Sequence, residues 1–167
     1  MPTALQLAAG HPELMAAVRR SRKTLNRRAL VGAAASAVPI PGLDWAVDAA
    51  LLSRLIPKIN AEFGLMPDQL DSLNPRDRER VQKAVAMVGS VLIGKFITRD
   101  LVIKAAQTIG VRLTAKQAAK YVPLAGQAVA ALMGYAAIRY LGEEHLKDCV
   151  QVAKAVGLLE APQSLST

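Results

Sequence analysis

His145 and Cys149 stand four residues apart, with Glu144 and Asp148 beside them. That spacing puts an imidazole and a thiol on one face of a helix. Two kinds of chemistry use such a pair: two corners of a zinc site, or a thiolate nucleophile activated by a neighbouring base. Zinc takes three or four protein ligands, and His11 is the only other histidine in the chain. A catalytic thiolate needs a tuned thiol, a group that orients the base and a cleft, and one turn of helix supplies none of these. The reading is therefore a non-enzymatic chain with no catalytic residue, no metal and no cofactor. The pair itself is expected at a solvated, charged helix end.

A denser set of functional side chains lies near the start. Arg19, Arg20, Arg22, Lys23, Arg27 and Arg28 face only one acid, Glu13, within the first 30 residues, and they carry most of the net charge of +8. On a helix over 14–30, Leu14, Val18, Leu25 and Ala29 fall on the side opposite these cations. Such a face suits an anionic membrane surface, with the leucines and valine reaching the acyl boundary. It also suits an acidic protein partner or plain solvation. Nucleic acid is disfavoured, because no aromatic side chains are interleaved with the arginines and phosphate contacts alone are nonspecific.

The elements that must position these groups read as helices throughout. Over half of the 167 residues are apolar and only 4% are aromatic, a balance that favours closely packed helices over a sheet. Two phrases, Val38-Pro39-Ile40-Pro41-Gly42 and Val122-Pro123-Leu124-Ala125-Gly126, act as helix breakers and hinges, since proline lacks the amide donor and glycine tolerates the turn. The expected fold is all-α, a compact bundle of apolar helical hairpins with about five to six helices.

In chain order, the basic helix starts at Pro12 and continues through Ala29, Ala33 and Ala37, a row of small side chains that lets a neighbour approach closely. The next runs from Gly42 or Leu43 to about Glu62, with Asp44 and Asp48 near its N-terminus as a charge-switch pair, and with Pro57 expected to kink or break it. A short polar helix or turn covers 67–73. Asn74-Pro75 then opens a helix that begins charged and stays apolar to Gly94. Shorter helices follow over 99–109 and 114–121. The last runs from Pro123 to about Val156, with a packing row of Gly126, Ala130 and Gly134. The organisation is a flexible N-terminus over 1–11, one helical domain over 12–156 and a loosely ordered tail over 157–167.

The uncharged run over 121–138 is at the short end for a membrane span and rich in alanine, and those over 29–43 and 84–94 are shorter still. A buried helix of a compact domain is the favoured reading. A single cysteine and a start without a basic region before a sustained apolar run point to a cytoplasmic, peripherally membrane-associated protein.

The phrases 38–43 with Asp48, Leu51-Leu52, Phe63-Gly64-Leu65 and Val122-Pro123-Leu124-Ala125-Gly126 come in an order that resembles the helical portion of immunity-related GTPases and the related bacterial helical domains of the EcsC type. The GTPase portion is missing. No Gly-x-x-x-x-Gly-Lys-Ser/Thr phosphate loop is present, and the nearest phrase, over 88–96, has no hydroxyl residue after its lysine and falls in a stretch expected to be helical. The resemblance implies membrane association or partner binding, with a separate GTPase as one conceivable client. The expected function is a membrane-surface-associating or scaffold module, with self-association through the small-residue rows. The alternatives are a membrane-inserting or pore-forming effector, in which Asp44 and Asp48 titrate to permit insertion, and a soluble protein-binding adaptor.

Overall fold

The computed structural model describes residues 2–36, 43–90, 92–93 and 123–159. Among them the chain is all-α, with no strand: α1 (Ala4–Leu7), α2 (Pro12–Ser36), α3 (Leu43–Glu62), α4 (Pro67–Asp71), α5 (Pro75–Val88) and α6 (Pro123–Val156). The breaker over 38–42, Ala37, the helices expected over 99–109 and 114–121, and the tail from 160 onward lie outside the described residues. So do the side chains of Asp44, Asp48 and Ala130; Pro123 and Gly126 are described only as helical backbone in α6.

Local chemistry accounts for most helix ends. Asn74 caps α5 by accepting the Asp77 amide at 2.9 Å, and Pro75 follows at the position where a missing amide costs nothing. At the end of α3, the Leu65 amide reaches the Asn60 carbonyl at 2.9 Å and Gly64 adopts φ +71°, with Phe63 and Leu65 buried on either side. Helix α6 closes in the same manner, Leu158 bonding the Ala153 carbonyl at 2.9 Å past Gly157 at φ +74°. This arrangement satisfies carbonyls that a helix end leaves orphaned, and it demands a left-handed residue that glycine adopts without strain.

Three elements differ from expectation. Helix α5 stops at Val88 and not at Gly94, because Gly89 turns left-handed at φ +74° and returns its amide to Val85 at 3.0 Å. At Pro57 the expected break, though not the kink given as its alternative, is overturned, because α3 continues past it to Glu62. Where a flexible N-terminus is expected over 1–11, Thr3 and Gln6 form a reciprocal capping box around α1, and Ala4 and Ala8 are fully buried.

The chain divides into two compact units. The first comprises Met1–Arg22, Pro57–Phe96 and Glu143–Thr167; its core holds Leu14, Val18, Ile59, Phe63, Leu65, Val81, Leu146 and Val150. Its N-terminal turn is tied down by polar bonds, the Ala4 amide donating to Glu143 at 3.2 Å and Lys154 donating to the Leu7 carbonyl at 3.3 Å. The second comprises Lys23–Ile56 and Ile97–Gly142, with Leu25, Ala29, Leu51, Leu52, Leu55, Ile56 and Ile138 buried. There Gly142 of α6 meets the Leu25 side chain of α2 so closely that an added Cβ would fall 2.3 Å from a Leu25 methyl. Among the described residues, no helix is long and apolar enough to cross a membrane.

Candidate anionic-surface interface and a buried polar cluster

Helix α2 has the sidedness its sequence implies. Leu14, Ala17, Val18, Leu25 and Ala29 are all buried to the last few per cent, which turns the intervening cations outward. The structure then sorts those cations into two groups. Arg22 is half-buried and forms a two-point pair with Glu143, its Nε donating at 3.0 Å and its Nη2 bonding the second oxygen, so it belongs to the packing of the first unit. Arg20 is exposed and reaches Glu62 at 2.7 Å.

Arg19, Lys23 and Arg27 are exposed and make no ion pair with another described residue; Arg28 is half-exposed. Four-residue steps along a helix advance about 6 Å each, so these three form a short cationic stripe on one face. The apolar residues opposite are committed to the core. Leu14, Val18 and Leu25 are fully buried and cannot reach an acyl boundary while the fold is intact. Those three side chains therefore add no insertion to the electrostatic contact of the stripe; the large apolar side chains that α2 does expose are Leu30 and Val31, beyond Arg27.

The small-residue rows are placed unevenly. Ala29 is buried, while Ala33 and Gly134 are only partly covered. The close approach sits further along, at Gly142. Extending the Gly126, Ala130, Gly134 row by two more four-residue steps passes through buried Ile138 and arrives at Gly142, a signal that was present in the spacing.

His145 and Cys149 do not stand at a solvated helix end. They are 2% and 0% exposed, and they converge on Asn60 of α3, itself fully buried. Asn60 is oriented by its Nδ2, which donates to the Leu92 carbonyl at 3.0 Å, and its Oδ1 therefore points at the pair. His145 Nε2 lies 2.8 Å from that oxygen and Cys149 Sγ 3.6 Å from it. An amide oxygen only accepts, so His145 carries a proton on Nε2; with Nδ1 buried and unpartnered and burial disfavouring the charged ring, that is its one proton. Nothing in the sequence near residue 60 announces this role; Asn60 is an isolated amide in an apolar helix.

A cysteine, a histidine and an asparagine invite comparison with a thiol protease triad, but the wiring differs. In a triad the orienting amide holds one ring nitrogen while the other faces the thiol. Here Asn60 and Cys149 both address Nε2, with Sγ at 3.5 Å, and Nδ1 is buried without a partner. Burial pushes the thiol well above its ordinary range, aided by the charge of Asp148, and holds the imidazole down to about 4. Both shifts oppose thiolate formation. No group of three or more His, Cys, Asp or Glu side chains among the described residues could hold a metal ion.

Of the phosphate-loop fragment, residues 88–90 and 92–93 are among those described. Gly89 and Gly94 have the separation of such a loop, yet Gly89 caps a helix and does not follow a strand, and Phe96 stands where a hydroxyl would be required. Comparisons with protein-family models, with curated proteins and with solved structures find no match for this chain.

Proposed function

We propose that this chain is a non-enzymatic, peripheral module that docks on an anionic membrane surface through the face of α2 bearing Arg19, Lys23 and Arg27. The observation that carries this reading is the exposure of those three cations, unpaired with any described residue, on a helix whose Leu14, Val18, Leu25 and Ala29 are taken up by the core. A basic side chain near an anionic leaflet contributes about 1 kcal/mol, so three of them supply a hundredfold or so in partitioning, enough for reversible attachment. The resemblance to GTPase-associated helical domains points toward the same use, with the catalytic portion supplied by another chain.

Flotation with vesicles tests it. Wild type is expected to float with vesicles rich in anionic lipid and not with neutral ones. Arg19→Gln, Lys23→Gln and Arg27→Gln together should weaken that partitioning by about 100-fold while leaving helix content unchanged. Arg22→Gln should do the reverse, retaining most of the binding but lowering stability by about 1–2 kcal/mol through loss of the two-point pair with Glu143. A wild-type chain that ignores anionic vesicles, or a triple variant that floats as well as wild type, overturns the proposal; a stable, lipid-independent protein complex would then make it an adaptor.

A further inference from the structure

The buried cluster of the first unit is built around a neutral ring. His145 spends its one proton on Asn60 Oδ1, and its other nitrogen presents a lone pair to the core with no donor against it. In the neutral form this costs one unpaired acceptor. A second proton, at Nδ1, would create both an unpaired N–H and a full charge in the same place, and nothing nearby is arranged to receive either.

The surrounding charges are engaged elsewhere. On α6 itself Glu144 holds Lys147 at 2.6 Å, and Glu143 holds Arg22 of α2. From α3, Glu62 faces Arg20 and Lys58 is exposed. On α5, Arg80 pairs with Asp77, Lys83 with Glu79 and Arg78 with Asp71 of α4, Arg76 is exposed, and α1 carries no charged side chain. Asp148, half-buried beside Cys149 in sequence, is itself pushed toward its protonated form by burial. No carboxylate among the described residues bonds to the ring.

We propose that Asn60, His145 and Cys149 form an acid-release latch in the first unit: proton uptake at His145 Nδ1 places an uncompensated cation in the core, and the segments of α3 and α6 that meet at Asn60 Oδ1 come apart. This inference is independent of what the basic face of α2 binds. Its sign follows from the direction of the shift. The folded ring resists protonation until about 4, whereas a histidine in the unfolded chain takes its proton near 6.5. Stabilisation is thus complete above the unfolded value and is lost as pH falls through the folded one. The folding equilibrium constant is expected to drop about 30-fold between pH ~7.5 and pH ~5, before ordinary carboxylates titrate, and about 150-fold by pH ~4.

Urea unfolding of the full chain at pH ~7.5 and ~5 provides the test, with His145→Gln and His11→Gln as variants. Glutamine can still donate to Asn60 but cannot titrate, so His145→Gln should lose the 30-fold acid penalty while His11→Gln keeps it. In parallel, the ¹⁵N spectrum of wild-type imidazole should show His145 neutral and protonated on Nε2 through pH ~6. A His145→Gln variant with the wild-type pH profile, or a His145 ring that protonates near 6.5 in the folded protein, overturns the latch. Should His145→Gln fail to fold, the wild-type ring titration decides between the two outcomes.

Discussion

At the level of single residues, the tightest demand in the described structure falls on Gly142. A methyl group there would sit 2.3 and 2.8 Å from the two Leu25 methyls and 3.1 Å from Cγ, and Leu25 is fully buried. Two effects compete in Gly142→Ala. The helix gains about 1 kcal/mol from replacing glycine, while forcing Leu25 from its rotamer costs about 1–3 kcal/mol. The clash should win, so chemical denaturation is expected to show a net loss of about 1–2 kcal/mol. Leu25→Ala alone should cost about 2–5 kcal/mol through the cavity it leaves. Because the new methyl would occupy part of that cavity, the double variant should be less destabilised than the sum of the singles. Asn60 illustrates the opposite case of legibility. Only the convergence of α3 and α6 shows that it orients a histidine and a cysteine from the neighbouring helix.

At the level of elements, the helix limits follow from short-range chemistry and should respond to short-range changes. Asn74→Ala removes the acceptor for the Asp77 amide, and Gly89→Ala forces a side chain into φ +74°. Each is expected to lower stability by about 1 kcal/mol in thermal or urea unfolding, with no change in the vesicle binding proposed for α2. The starts of α2, α5 and α6 at Pro12, Pro75 and Pro123 were all legible, since proline at a first helical position is preorganised and loses no bond. The end of α5 is set differently. An apolar run to Gly94 matched a helix in composition, but Gly89 offers a left-handed stop that satisfies the last carbonyls, and local geometry overrode hydrophobic continuity. Of the kink or break expected at Pro57, the break does not occur: flanked by buried Leu55, Ile56, Ile59 and Asn60, its helix keeps enough packing to absorb one missing bond.

For the whole molecule, the net charge of +8 sets how association should respond to ionic strength. Raising salt from about 0.1 M to about 1 M shortens the screening length from about 10 Å to about 3 Å, so flotation with anionic vesicles should be lost over that range. The half-buried Arg22–Glu143 pair is much less screened, and the unfolding midpoint should move little. Flotation that survives high salt would instead indicate inserted apolar surface and count against the electrostatic reading. Composition and periodicity by themselves determined the all-α class, the helix starts and the buried side of α2, because each depends on interactions within a few residues or on a repeating apolar face. Which cations are spent on packing, which glycine admits a neighbouring leucine, and that His145 and Cys149 face a buried amide and not solvent were decided only by tertiary structure. Those facts join residues far apart in the chain, such as Arg22 with Glu143, Leu25 with Gly142 and Asn60 with His145. No local pattern encodes such a pairing, because it exists only once the helices have packed.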